Sequence, residues 1–179
     1  MKIMVASDLH GSLYYGKMLV DAFLKEKAET LVLLGDLYYH GPRNPLEREY
    51  DPMGLSNLLN EISEKLVVIK GNCDSEVDEM ISNFKFLSAQ TIKFGNLNIA
   101  LAHGHLSDIN NMPKGEYDMF LHGHTHIGFI DKIDGIFVAN PGSVTLPKGG
   151  TPRSYLVIDN SEIRLVNLES GEIIVACKT

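Results

Sequence analysis

The sequence predicts an α/β protein in which a mixed sheet faces a largely antiparallel one, with helices outside. Three observations carry this. Three short, strand-length apolar runs in the first half are separated by stretches with helical period. The second half is a succession of short alternating segments joined by Gly, Asn or Asp. No linker, low-complexity tract or internal repeat divides the chain, so residues 1–179 are expected to form one domain.

The first run, 2–7 (KIMVAS), is a strand that stops at Asp8. Residues 14–27 follow with Leu19, Val20, Phe23 and Leu24 at helical spacing, which predicts a helix. A second strand at 30–35 (TLVLLG) ends in Gly-Asp, and a third at 66–71 (LVVIKG) ends at Asn72. Between them Leu55, Leu58, Leu59 and Ile62 mark another helix. Strands alternating with helices read as βαβ units with right-handed crossovers and a parallel core. Residues 40–54 (HGPRNPLEREYDPMG) hold three prolines and two glycines with no period, so they are expected to be a long loop, either functional or a surface excursion. Later strands are expected at 90–94, 97–102, 117–122, 127–133, 136–139, 154–158, 162–168 and 172–177, with hairpin turns at Phe94-Gly95-Asn96-Leu97 and Asp134-Gly135.

Composition bounds the function. Hydrophobic residues make up 44% and charged residues 22%, ordinary for a globular domain. Formal charge is −7 and no basic stretch stands out, which argues against a long nucleic acid as partner and leaves a small phosphorylated molecule open. No apolar run approaches the roughly 20 residues of a membrane span, and the N-terminus lacks the apolar stretch of a signal peptide. A cytoplasmic protein is therefore expected. Cys73 and Cys177 are far apart, and no disulfide is expected.

The polar residues with metal-ligand chemistry all fall where strands are expected to end. Asp8 and His10 follow the first strand, Asp36 the second and Asn72 the third, while His103 follows 97–102 and His124 and His126 follow 117–122. Strand ends of an α/β sheet converge on one rim, where ligands bind. Seven oxygen and nitrogen donors there suffice for two metal ions, whereas a structural site needs about four. Asp8-Leu9-His10 and His124-Thr125-His126 are each expected to place two donors on one side of an extended segment. Gly104 and Gly123 would let the chain approach closely. For any one of these histidines alone, a hydrogen-bonded rim residue is the simpler explanation.

Together, Asp8-x-His10, Gly35-Asp36, Gly71-Asn72-Cys73-Asp74, His103-Gly104-His105 and Gly123-His124-Thr125-His126 resemble the calcineurin-like metallophosphoesterase superfamily. More narrowly, the chain is similar to its YfcE-type phosphodiesterases, in which the asparagine motif reads Gly-Asn-Cys-Asp. His40-Gly41-Pro42-Arg43-Asn44, Asp74-Ser75-Glu76-Val77-Asp78 and Asn140-Pro141-Gly142-Ser143 extend the likeness nearly end to end. The resemblance implies a four-layer αββα sandwich of two mixed sheets flanked by helices. It further implies a first metal held by Asp8, His10, Asp36 and His126, and a second held by Asp36, Asn72, His103 and His124, with Asp36 bridging. Asp36 and Asn72 would act directly in catalysis. Mn²⁺ is the metal implied, and mixed imidazole and oxygen donors suit Zn²⁺ or Fe²⁺ as well.

The residue types suit phosphate. Two divalent ions against only two anionic ligands, Asp8 and Asp36, leave about +2, and the neutral amide of Asn72 preserves it. A water shared by the ions would become a hydroxide aimed in line at phosphorus. No Gly-x-Ser-x-Gly elbow or phosphate-binding Gly-rich loop competes with this reading. Cys73 stands where the wider superfamily often carries a histidine that protonates the leaving group. Cys73 is therefore expected to fill space, with His105 or solvent supplying the proton. His105 has an equal claim to an orienting hydrogen bond, and His122 is expected to be packed. His40 and Arg43 could reach the substrate, and a salt bridge to a loop glutamate is the alternative for Arg43. Asn140–Ser143 reads as a structural turn.

The expected function is hydrolysis of a small phosphodiester. A phosphomonoesterase, or a protein-binding scaffold like the retromer subunit that shares the fold, are the competing readings. The resemblance also suggests a homo-oligomer.

Overall fold

The computed structural model describes residues 2–179. Its first sheet has seven strands: β1 (Lys2–Ala6), β2 (Thr30–Leu33), β3 (Leu66–Ile69), β4 (Phe86–Leu87), β10 (Ser154–Asp159), β11 (Glu162–Asn167) and β12 (Ile173–Lys178). They lie in the order β12-β11-β10-β1-β2-β3-β4. β1, β2, β3 and β4 pair in parallel, and β10 joins β1 antiparallel, with Ile3 opposite Ile158. The second sheet holds β5 (Gln90–Phe94), β6 (Leu97–Ala102), β7 (Met119–His122), β8 (Gly128–Ile133) and β9 (Ile136–Pro141), in the order β5-β6-β7-β9-β8.

Side-chain alternation builds the layers. Ile3 and Val5 of β1 face the second sheet and pack with Val32, Ile99, Leu121, Leu156 and Ile158, while Met4 and Ala6 face the helices. A strand buried on both faces must read as an unbroken apolar run, and 3–6 does. Helix α1 (Leu13–Glu26) covers the outer face with Tyr15, Leu19, Val20 and Phe23, a stripe at the spacing read from the sequence. Each such side chain, removed fully from water, contributes about 1.5–3 kcal/mol. Ser12 caps α1 by accepting from the Tyr15 N–H, and Lys27 ends it in the left-handed region at φ 54°. Helix α2 (Pro52–Asn60) starts on an Asp51 cap with proline at its first position, and buries Leu55 and Leu59 beside α1.

The two mixed sheets packed face to face are those expected, with four differences. The second sheet is not largely antiparallel: β6 runs parallel to β7 and β7 to β9, and only the outer pairs are antiparallel. Its outer face, built on Ala100, Ala102, Phe120 and Val138, is covered by Ile109, Met112 and Tyr117 from the irregular segment 103–118, so helices flank the first sheet alone. Besides the 3₁₀ turn Ser63–Lys65, two short elements had no expectation. These are α3 (Glu76–Met80), whose Ser75/Asp78 capping box was legible, and the two-residue strand β4. The long loop after β2 runs to Asp51, where α2 begins earlier than its apolar period suggested.

Candidate metal centre

β1, β2, β3, β6 and β7 all point their C-terminal ends at one rim, and the loops leaving them carry Asp8, His10, Asp36, Asn72, His103, His124 and His126. The geometry gathers these residues. Asp8 Oδ1 lies 3.2 Å from His126 Nε2 and 3.8 Å from His10 Nε2, and His10 Nε2 lies 3.9 Å from Asp36 Oδ2. Asp36 Oδ1 in turn lies 3.4 Å from His103 Nε2, which is 3.0 Å from Asn72 Oδ1 and 3.2 Å from His124 Nδ1. The two oxygens of Asp36 are therefore turned toward different histidines.

The backbone achieves this differently from the extended pairs expected. Asp8, His10, Asp36, His124 and His126 all have positive φ, between 46° and 67°. Non-glycine residues seldom adopt this region, and such strain clusters where function requires it. Asp8-x-His10 and His124-x-His126 are turns, so strand alternation is not what aims their side chains. The second pair separates: His126 meets Asp8 and His10, whereas His124 meets His103.

Hydrogen bonds fix the rings. His10, His103 and His126 each contact a backbone carbonyl through Nδ1, at Tyr39, Leu34 and Leu146 with distances of 2.8, 2.7 and 2.7 Å. An Nδ1–H donated to each carbonyl leaves Nε2 as the atom turned to the centre. Asp8 Oδ2 accepts the His124 N–H at 3.0 Å, while Asp8 Oδ1 is buried with no hydrogen-bond partner. The turn after β9 supports these loops: Asn140 Nδ2 donates to Gly123 O at 2.8 Å, and Ser143 Oγ donates to Asp8 O at 2.7 Å. Asn140–Ser143 is thus a brace, in keeping with the structural role expected of it. Gly123 is required because a Cβ there would strike Ser7 Oγ, and Gly104, at φ 120°, because a Cβ would lie 2.8 Å from Gly123 O.

Electrostatics favour ionised carboxylates. Burial raises the Asp8 carboxyl, but His126 and His103 pull it below its ordinary value; at Asp36 the hydrogen bond and charge of His103 outweigh burial and hold it well below the carboxylate range. Burial lowers His10 and, with the charge on His103, His124. His103 is the exception: burial would lower it, but its hydrogen bond to Asp36 and the charges of Asp8 and Asp36 push it up to about 9.

The residues fit a cation. Three groups of candidate ligand atoms lie mutually within 4.8 Å: Asp8, His10 and His126; Asp36, His103 and His124; and His10, Asp36 and Cys73. Cys73 is the weakest of these, since burial and the carboxylate of Asp36 push its thiol up to about 12, away from the thiolate a metal prefers.

A cleft of ≈ 760 Å³ opens over the centre, and its walls include Asn72, Cys73, Tyr39, Arg43 and Lys148. Tyr39 and Lys148 were not singled out in the sequence, and nothing in the local pattern marks either. His105 does not line this cleft. It is exposed, with its ring 5.4 Å from that of His103 and 6.2 Å from that of His124, beside a smaller cavity of ≈ 350 Å³. His122 is fully buried between Phe120 and Phe129 on the outer face of the second sheet, packed as expected. His40 bonds to the Tyr50 hydroxyl across 3.3 Å, away from the ligand atoms.

Comparison with known proteins agrees with the motifs. Residues 1–162 match the family model described as the calcineurin-like phosphoesterase superfamily domain. The chain is 40% identical over 176 residues to phosphodiesterase YfcE of Escherichia coli, covering 97% of this chain and 96% of that protein. It superimposes on a solved structure of that phosphoesterase with a TM-score of 0.95, covering 99% and 98% of the two chains at 39% identity. A Vps29 from Entamoeba histolytica shares the fold at a TM-score of 0.66 and 22% identity, covering 100% and 99%. With the motifs, the two-sheet architecture and these likenesses in agreement, the chain belongs to the calcineurin-like phosphoesterase superfamily.

Proposed function

We propose that this protein is a metal-dependent phosphodiesterase with a dinuclear centre. One observation carries the metal: His10 Nε2, His126 Nε2 and Asp8 Oδ1 converge, the two nitrogens 3.3 Å apart, with no hydrogen to share once each ring keeps its proton on Nδ1. Converging electron-pair donors repel, and a cation among them removes the repulsion. Asp8, His10, Asp36 and His126 would hold one ion, and Asp36, Asn72, His103 and His124 the second. The two oxygens of Asp36, turned toward different histidines, support its place in both sets. Divalent ions bound there supply positive charge for a phosphate and acidify water to the nucleophile.

The chain's own residues do the rest. Asp8 and Asp36 are the only anions in the set, and Asn72 adds an oxygen without charge, so the centre stays electropositive toward a phosphodiester. Mixed imidazole and oxygen donors suit Mn²⁺, which we take as the metal, with Zn²⁺ and Fe²⁺ next. The leaving oxygen takes its proton from His105 or solvent, because the Cys73 thiol holds its proton too tightly to be a useful acid.

The test is hydrolysis of bis-p-nitrophenyl phosphate against p-nitrophenyl phosphate by metal-stripped protein with Mn²⁺ restored, beside Asp36→Asn, with metal content measured in parallel. Diester turnover that needs metal and is lost in Asp36→Asn is expected. Faster turnover of the monoester would make this a phosphomonoesterase. Two bound metals with no turnover of either ester would leave the scaffold reading.

A further inference from the structure

Of the four arginines, Arg48 lies over the Tyr14 ring, Arg153 meets Glu47 and Glu169, and Arg164 meets Glu26 and Glu162. Arg43 has neither an acidic nor an aromatic partner among the described residues, so the salt bridge considered for it is absent. Arg43 lines the large cleft, and Lys148, also without an acidic partner among the described residues, lines the same cleft.

Both cations are borne on segments tied to the centre. Tyr39 O contacts His10 Nδ1, and the turn that follows is closed by Asn44 Nδ2 donating to His40 O at 2.7 Å and Asn44 N–H donating to Gly41 O at 3.3 Å. Gly41 backs onto Cys73, where a Cβ would lie 3.6 Å from its sulfur. The Lys148 N–H donates to His126 O at 3.0 Å, and Lys148 O accepts from the Thr151 N–H and hydroxyl. Arg43 and Lys148 therefore rise from loops anchored on His10 and His126, two ligand candidates that touch each other.

Charge arithmetic says what they are for. Two divalent ions among Asp8 and Asp36 leave about +2. The single negative charge of a diester and that of an attacking hydroxide already match it. Arg43 and Lys148 add two positive charges, of which the Asp74 carboxylate on the same cleft wall, already held by three backbone N–H groups, offsets at most one, so a positive surplus beyond the scissile phosphate remains in a cleft of ≈ 760 Å³ that is far larger than one phosphate. We propose that Arg43 and Lys148 form an anion subsite, and that the preferred substrate is a phosphodiester carrying a second anionic group, a phosphoryl or carboxylate, on one of its substituents. This inference rests on the phosphodiesterase reading and narrows its substrate class.

The test compares the p-nitrophenyl phosphodiester of thymidine with the same ester bearing a second phosphate on the other sugar hydroxyl, in Mn²⁺-loaded protein. Partly exposed charge pairs lead us to expect a kcat/KM about tenfold higher for the ester that carries the added phosphate, mostly through KM. In Arg43→Gln/Lys148→Gln the ratio should fall to within about twofold of one. The same pair of variants should weaken binding of thymidine bisphosphate relative to thymidine monophosphate, read by calorimetry. Equal kcat/KM for the two esters in the wild type, or a ratio unchanged in the double variant, overturns the proposal. If neither ester is cleaved, calorimetry separates the two readings: a bisphosphate preference lost in the variant keeps the subsite and removes the activity, and no preference removes the subsite as well.

Discussion

The carboxylate of Asp74 holds the backbone of Asp36 in place. Asp74 Oδ2 accepts the N–H groups of Asp36 at 2.8 Å and Gly71 at 2.7 Å, and Oδ1 accepts that of Leu37 at 2.8 Å. One buried side chain thus ties the loop after β3 to the loop after β2 and fixes Asp36 in its left-handed conformation. Burial raises Asp74 to about 6 in spite of these donors, so at neutral pH it is ionised and accepts all three.

Asp74→Asn would turn an amide N–H against at least one of those donors. A loss of about 2–3 kcal/mol is expected, read as a lowered urea midpoint. Metal affinity should fall by about 10–100-fold because Asp36 is no longer positioned. Wild-type metal affinity in the variant would show that Asp36 is held by other contacts.

Gly71→Ala tests the same junction by steric means. A Cβ at Gly71 would collide with Asp36 Oδ1 and approach Asp36 N to 2.5 Å. The expected cost is about 1–3 kcal/mol, together with loss of the second metal equivalent on metal analysis. An alanine protein with unchanged melting and two bound metals would contradict the packing described.

His103 makes metal uptake depend on pH. In metal-free protein its pKa is raised from 6.5 to about 9, so near neutrality it is charged and its proton must leave before Nε2 can bind a cation. Calorimetric titration in buffers of different ionisation enthalpy should show about one proton released near neutral pH, and progressively less as pH passes about 9. The sign for stability follows from the raised value. The contribution of His103 to the metal-free fold is full below about 6.5 and is lost as pH rises through about 9, so metal-free melting temperature should decline across that window. No buffer dependence near neutrality would mean that His103 is already neutral.

His124 sits at φ 67°, half-buried beside His103. Left-handed backbone costs a histidine about 1–2 kcal/mol that glycine does not bear. His124→Gly should therefore melt at or above the wild type without metal while binding metal more weakly. Destabilisation of the metal-free protein would show that the ring packs for stability.

The proton donor is separable by leaving group. A nitrophenolate leaves without help, whereas an alkoxide needs a proton. His105→Asn should slow an alkyl diester by about 10²-fold or more while changing bis-p-nitrophenyl phosphate little, and Cys73→Ala should leave both near wild type. If His105→Asn is silent on both, solvent is the donor; an alkyl-selective loss in Cys73→Ala would assign the role to the thiol.

Much of this was legible in the chain, and for local reasons. Strands such as β1 announce themselves because burial on both faces demands an unbroken apolar run, here 3–6. Helix α1 announces itself because one face must be apolar every third or fourth residue. Donors at strand ends are legible because the rim of an α/β sheet is where loops meet. Two short elements, α3 and β4, escaped because they bury too little to impose a period.

Tertiary structure alone decided the rest. That His124 and His126 part company, and that Asp8 and His10 converge through positive φ, depends on braces such as Asn140, Ser143 and Asp74 that are remote in sequence. Strained conformations persist only when surrounding contacts over-determine them. The placement of His105 outside the large cleft, and of Lys148 inside it, likewise follows from where loops are pinned. By itself the sequence determined which residue types this protein brings to its rim. Hydrogen bonds across the fold determined where each one points, because a side chain's direction is set by backbone torsions that no local pattern encodes.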